Sequence, residues 1–401
     1  MIEKLFTQLE ELYPEMVDIR RDLHMHPELS HEEVRTPEKV AAFLTELGIE
    51  VRTDVGGRGV VGTLKGGKPG KTIALRADFD ALPIQDEKDV DYKSQVPGVM
   101  HACGHDLHTA GLLGVAKVLS SVRDEIPGTI VFIHQFAEEL TPGGAKLMME
   151  DGCLDGVDMI YGAHVMADEP YGTVGVCGGY ASSAQDDFEI EVLGQGGHGS
   201  SPHTAVDPLV TASQLVVNLQ QIVSRRVSPL QSAAVTVGSF HSGDATNIIP
   251  DKAVIKGTVR TYDADVRDTV EHAMKQIAKS TCEAAGASVN VDYVRDCPSM
   301  YNDANEANRV MEMAKLAVGV DQVQEMAPMT GSEDFAFYQE EIPGVYFIAG
   351  GQNPDIGAVY PHHHPMFNAD ERAMLNVGKV FISSALNYLS DGEIVPNGGQ
   401  G

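Results

Sequence analysis

Nine consecutive residues, Met100-His101-Ala102-Cys103-Gly104-His105-Asp106-Leu107-His108, gather three imidazoles, one thiol and one carboxylate. Nitrogen and sulfur donors on a short loop suit a transition metal, whereas magnesium or calcium would call for a set of oxygens. Cys103 and His105 are two residues apart, and Gly104 between them permits a turn tight enough for both to serve one metal site. Taken alone, the stretch could equally be a polar loop around one half-buried cysteine. The donors that other parts of the chain supply decide for metal.

Those donors follow strands. Thr72-Ile73-Ala74-Leu75-Arg76 runs into Asp78 and Asp80, Thr129-Ile130-Val131-Phe132-Ile133 into Glu138-Glu139, and Asp158-Met159-Ile160-Tyr161-Gly162 into His164. The strands are continuously apolar and alternate with helical patterns, one of which (Leu112, Leu113, Val115, Ala116, Leu119) follows the cysteine loop directly. That texture predicts a sheet covered by helices on both faces. In open α/β sheets ligands bind at the carboxyl ends of the strands, where these acids and imidazoles fall.

Upstream, Leu5, Leu9, Leu12, Met16, Ile19 and Leu23 predict one amphipathic helix over about 2–23, stopping near His26 because Pro27 follows. A second helix is expected over about 38–47, closing at Gly48. After Ser182 the pattern changes. Residues 187–192 alternate with period two, a helix is expected over 205–223, strands at 233–240 and 253–260, a helix at 264–285 and a strand at 288–293. That β-α-β-β-α-β order is ferredoxin-like. The buried pattern returns from Asn302, with a helix at 304–318 and a strand at 345–349. The expected organisation is therefore an α/β catalytic domain made of 1–183 and 297–401, with an α+β domain inserted at 184–296.

Composition limits the function classes. At 401 residues two domains are expected. A net charge of −29 argues against nucleic acid and anionic membranes as partners. Five scattered cysteines form no disulfide framework. No stretch is apolar enough to span a bilayer, and the N-terminus lacks a signal-type apolar core. A cytoplasmic protein is expected.

His101-Ala102-Cys103-Gly104-His105-Asp106, Glu138-Glu139, Gly162-Ala163-His164, Gly196-Gly197-His198, Thr246-Asn247-Ile248-Ile249-Pro250 and His363-His364-Pro365 stand in the order found in M20 metallopeptidases. The chain resembles that family's amidohydrolase branch, which acts on N-acyl amino acids, hippurate and auxin–amino acid conjugates, from Arg21 to about Met374. The resemblance implies a zinc-peptidase-like catalytic domain with a mixed sheet flanked by helices, and a lid domain that also makes a homodimer. It implies two divalent metal ions (zinc, manganese, cobalt or nickel) held by Cys103, His105, Glu139, His164 and His363, with Glu138 as general base. It places His198, Asn247 and Arg260 on substrate, often across the dimer. The Gly199-Ser200-Ser201 run departs from the Ala-rich run common in this branch. The implied reaction is hydrolysis of a small-molecule N-acyl-L-amino acid. The alternatives are a metallo-carboxypeptidase or dipeptidase, and a non-catalytic amino-acid-binding protein, which would be expected to lack Glu138 or a ligand.

Each residue has a chemical reason and a plainer alternative. Successive side chains leaving a strand point to different sides, so Glu139 could bind metal while Glu138 takes a proton from water and hands it to the departing amine. By itself the pair could be a solvated helix start. His164 could be a hydrogen-bonded histidine under a loop, and His363 one of several surface imidazoles. His198, in a glycine-rich turn, could donate to a developing oxyanion or simply face solvent. Asn247 and Arg260 could hold an α-carboxylate, Arg260 through charge-assisted bonds. Gly331, opening Gly331-Ser332-Glu333-Asp334-Phe335, would form a pocket wall at a helix start suited to an anion. Asp78 and Asp80 either orient a ligand imidazole or cap the turn before Pro83. His101 and His108 are expected to support the ligands rather than join them.

Overall fold

The computed structural model describes residues 1–141 and 143–392. Two compact units emerge. One comprises Met1–Ala181, Tyr301–Ala327 and the described residues from Asp334 on; the other comprises Ser182–Met300 with Pro328–Glu333.

The first unit is built on an eight-stranded mixed sheet. Its order is Glu50–Val55, Gly59–Lys65, Pro127–Gln135, Lys68–Asp78, Met159–Pro170, Gly344–Gln352, Val174–Val176 and Val323–Glu325. The four strands from Pro127–Gln135 to Gly344–Gln352 run parallel, with Ile73 opposite both Ile130 and Met159, and Tyr161 opposite Val345. Their apolar runs have the cause expected: Ile73, Leu75, Ile130, Phe132, Ile160, Tyr161, Val345 and Phe347 are all buried. Burial of each such side chain is worth about 1.5–3 kcal/mol. The His105–Ser120 and Ala373–Leu389 helices, almost wholly buried, pack against this sheet and each other.

Two helices differ from expectation. The first is broken into Ile2–Glu11 and Tyr13–Met25, because Pro14 lies in the first turn of the second piece, where its missing N–H costs nothing. The next helix starts at Arg35, not near Glu38. The Glu28 carboxylate accepts the backbone N–H groups of Val34, Arg35 and Thr36, capping the helix from seven residues away or so.

The second unit follows a β-α-β-β-α-β course. Its antiparallel sheet has the order Ala233–His241, Lys252–Thr261, Ala184–Leu193, Ser288–Cys297, and the helices are Pro208–Leu219 and Ala264–Ala284. Asp207 and Asp263 cap the two helices through their side chains. Phe188, Ile190, Val192, Leu215, Leu219, Val270 and Met274 form its core. Among the described residues no helix is long and apolar enough to cross a membrane.

Candidate metal centre

The parallel strands of the first unit deliver their polar residues to one edge. Asp78 ends the Lys68–Asp78 strand, and Gln135 ends its neighbour. His164 does not follow a strand as the sequence suggested; it lies inside Met159–Pro170, opposite Ile348, because pairing with Gly344–Gln352 continues past it. His105 opens its helix after Gly104, whose φ of 96° makes the tight turn expected between the two loop donors.

Cys103 Sγ lies 3.3 Å from His164 Nε2. His164 Nδ1 faces its neighbour's carbonyl, Val165 O, at 3.0 Å, so the proton sits on Nδ1 and the Nε2 lone pair meets the thiol. His105 Nδ1 donates to the carbonyl and the carboxylate of Asp80, at 3.0 and 3.1 Å. Its Nε2 is left 3.9 Å from Asp78 Oδ2, Glu138 Oε2 and Glu139 Oε1. Glu139 Oε1 is 3.3 Å from His363 Nε2, and the His363 backbone is fixed by donating to Ala102 O at 2.8 Å.

The glutamate pair is arranged differently from the strand alternation expected for it. The strand has ended at Gln135, and Ala137 takes a left-handed φ of 48°. The kink brings both carboxylates to the same imidazole at equal distance, not to opposite sides.

His105 Nε2 and Glu139 Oε1 are shielded from solvent and make no well-formed hydrogen bond among the described residues, Glu139 Oε1 having ion-pair contacts with His363 at 3.3 Å and with His105 at 3.9 Å. A buried polar atom left unpaired costs about 1–3 kcal/mol, so two at one point call for a partner. A metal fits. One ligand atom each from Cys103, His105 and Glu139 lie within 4.8 Å of one another, as do those of Cys103, His164 and His362. Cys103 belongs to both groups. Without a cation, burial and then Glu139 push its thiol pKa well up, while a metal ligand must be a thiolate. Burial pulls the His105 imidazole down, but Asp78 and Asp80 outweigh it and hold its pKa well above the ordinary value. Burial, with His108 and His362 adding, holds His164 well below.

His108 cannot ligate in this arrangement. Its Nδ1 donates to Asp78 Oδ1 at 2.7 Å and its Nε2 accepts the Val165 N–H at 2.9 Å, so both nitrogens are engaged. Asp80 orients His105, whereas Asp78 braces His108, a contact neither reading of these acids named. Neither ring nitrogen of His101 has a hydrogen-bond partner among the described residues, and burial pulls its pKa to about 4. His362 accepts the Ala167 N–H on Nε2 at 3.0 Å.

Further residues support the centre that sequence reasoning did not single out. Arg76 donates to Asp78 Oδ2 at 2.7 Å, to Gln135 Oε1 at 2.9 Å and to Asp334 Oδ1 at 2.8 Å, all buried. A charged residue closing an apolar strand was the available signal. Ser30 donates to Asp80 Oδ2 at 2.7 Å and Glu33 accepts from the Ala137 amide at 2.9 Å. Nothing local in the sequence marks these two, since their partners lie some 50 and 100 residues on.

The second unit sorts its candidates into two groups. His198 pairs with Ile248, and Gly199 donates to Asn247 O at 2.8 Å, so His198 and Asn247 are neighbours and both exposed. His198 Nδ1 accepts from the Ser200 amide at 3.1 Å, with Ser200 Oγ at 2.9 Å, which puts the imidazole proton of the neutral ring on Nε2. This pair adjoins Asp251, which holds the Gly196 amide at 2.8 Å. Arg260 stands near the other end of the Lys252–Thr261 strand, nine residues on and roughly 30 Å away at the rise of an extended chain. It is opposite Gln185, which accepts from Ser332 Oγ at 2.9 Å, so Gly331 belongs to the Arg260 end. Arg260 Nη1 is shielded and without a hydrogen-bond partner among the described residues.

The chain is 49% identical over 386 residues to YhaA of Bacillus subtilis (strain 168), whose name is that of an amidohydrolase, covering 96% of this chain and 98% of the relative. It is 41% identical over 387 residues to the N-acetyl-L-cysteine deacetylase of the same organism, covering 96% and 91%. The crystal structure of Bacillus subtilis YXEP, described as a dinuclear metal binding peptidase from the M20 family, superposes with a TM-score of 0.84 at 36% identity, covering 95% of this chain and 99% of that one. Residues 74–387 match the family described as Peptidase family M20/M25/M40. That match spans most of the sequence and takes in every donor of the metal edge, so the chain belongs to peptidase family M20/M25/M40, as a metal-dependent amidohydrolase.

Proposed function

We propose that the protein is a dinuclear enzyme that hydrolyses the amide bond of N-acyl-L-amino acids (N-acetyl, N-benzoyl or similar), releasing a carboxylate and a free amino acid. The observation that carries this reading is the unsatisfied pair His105 Nε2 and Glu139 Oε1 beside Cys103, with Glu138 turned to the same point. Cys103, His105, Glu139, His164 and His363 would hold two divalent ions of the zinc, manganese, cobalt or nickel type. Bound there, such ions lower the pKa of water towards neutrality and polarise a carbonyl. Glu138 would accept a proton from the attacking water on its carboxylate and pass it to the departing nitrogen. His198, with its proton on Nε2, would donate to the developing oxyanion. Arg260 would take the α-carboxylate on its unpartnered nitrogen, with Gly331 beside it.

The strand run of roughly 30 Å from Asp251, beside the His198 turn, to Arg260 is the reason to propose a homodimer. A small N-acyl amino acid would not span that run within one subunit, whereas a second copy could supply one of the two residues. The Ala233–His241 strand is a sheet edge and the Pro208–Leu219 helix exposes Leu209, Val210 and Val217, which supports self-association through this unit. Five free cysteines fit a reducing cytoplasm.

The test is a panel of N-acetyl, N-benzoyl and indole-acetyl amino acids beside unblocked dipeptides, assayed with chelator-stripped enzyme reloaded with each metal in turn. Metal-restored release of amino acid from the acylated set, with dipeptides slow, is the expected result. Activity confined to dipeptides would instead establish a peptidase, the reading favoured by the peptidase description of the YXEP structure.

A further inference from the structure

We propose that Glu33 is a positioning residue for the Glu138-Glu139 pair, holding Ala137 in the left-handed conformation from which both carboxylates turn towards His105. The inference rests on the functional reading above, in which those carboxylates do the chemistry. Ala137 has a φ of 48°, a region that a residue with a Cβ enters only when its surroundings impose it. Its two backbone groups are both held. The Ala137 N–H donates to Glu33 Oε1 at 2.9 Å, and its carbonyl accepts the Gly144 N–H at 2.9 Å.

Glu33 is fully buried, and its other oxygen, Oε2, has no hydrogen-bond partner among the described residues. Burial, with Asp80 adding, pushes its carboxyl up to about 7. A buried carboxyl with one unpaired oxygen is an expensive way to support a loop, and its bond to the loop falls on the strained residue directly before the glutamates. The turn that carries it is itself fixed. Glu28 accepts three backbone amides, Arg58 Nη1 donates to the Glu33 carbonyl at 2.5 Å, and Ser30 donates to Asp80 Oδ2. Asp80 Oδ2 also accepts the Glu139 amide at 3.0 Å. One turn therefore holds the glutamate loop on both sides: at Ala137 directly, and at Glu139 through Asp80.

The test compares Glu33→Ala with Glu33→Gln in the metal-loaded full-length enzyme. Glu33→Gln keeps an acceptor for the Ala137 N–H. Expected for Glu33→Ala is a kcat lowered by about 100-fold, the scale of a misplacement near 1 Å, with KM within about twofold and metal content unchanged. Glu33→Gln is expected to recover most of that loss. A crystal structure of Glu33→Ala is expected to show Ala137 out of the left-handed region. That readout needs no turnover, so it separates failure of this proposal from failure of the functional reading. A Glu33→Ala enzyme with a lowered Tm but wild-type kcat and Ala137 unmoved would overturn it, leaving Glu33 a structural residue only. Equal losses in Glu33→Ala and Glu33→Gln would overturn it too, because the acceptor would then not be what matters.

Discussion

The metal edge of the first unit and the candidate substrate residues of the second are built to opposite plans. At the metal edge, most donors are held by a second group: Asp80 under His105 and the Glu139 amide, Val165 O under His164, the Ala102 carbonyl under the His363 backbone. The His105 and His164 rings are oriented before any ligand arrives, and the inward-facing His105 Nε2 and Glu139 Oε1 are left without a well-formed hydrogen bond among the described residues. In the second unit His198 and Asn247 are exposed, and Arg260 lies in another sheet, near the far end of the Lys252–Thr261 strand, with a bare nitrogen. Preorganisation is worth most where charge must be stabilised without rearrangement. A surface that must admit and release substrate cannot be bound up in that way.

If that contrast is right, damage should fall in distinct classes. Cys103→Ala should have the largest effect: loss of both metals by elemental analysis, loss of activity, and a Tm lower by several degrees in metal-containing buffer, since bound metal stabilises the folded state. One metal retained would show that Cys103 is not common to both sets. Glu138→Ala should cost about 10³-fold in kcat while metal content and Tm hold. An emptied site in that variant would mean that base and ligand have been exchanged. His198→Ala should lower kcat by about 100-fold with no change in metal content. Mixing His198→Ala with Glu138→Ala subunits should restore part of the activity that each lacks, because one hybrid site receives both intact residues. Mixtures no more active than their components would confine each site to one chain.

The smallest effect concerns pH. Burial pulls His134, inside the Pro127–Gln135 strand, down to about 3. Its folded pKa lies below its unfolded value near 6.5, so the unfolded chain binds the extra proton between those two values. Stability should therefore fall as pH drops from about 6.5 towards 3. His134→Gln should flatten that part of the Tm–pH curve; an unchanged slope would place the proton uptake elsewhere.

The first unit was far more legible in the sequence than the site's supports. Thr72–Arg76, Thr129–Ile133 and Asp158–Gly162 announced strands of a sheet covered on both faces, because such burial leaves no room for polar residues. The helix at 304–318 was read with its observed bounds, since Asp303 and Gly319 punctuate it. The Glu138-Glu139 geometry was not legible, because it depends on Ala137 adopting a backbone conformation that alanine by itself disfavours. Nor was the capping of Arg35 by Glu28, or the bond from Glu33, since each depends on where a turn folds back to. His198 is marked by a motif and Arg260 by the family resemblance, but the length of strand that separates the His198 turn from Arg260 is carried by neither.

The place of the Gly344–Gln352 strand has a consequence for synthesis. It lies between Met159–Pro170 and Val174–Val176, segments that leave the ribosome some 170 residues earlier. The growing chain must keep that slot open while the whole second unit is made, with two apolar strand edges waiting for a partner not yet translated. Unpaired edges of this kind are where nascent chains associate wrongly. An insertion that folds promptly as its own body keeps the delay short, because only then can the late strand close the sheet and carry His363 to the donors already in place.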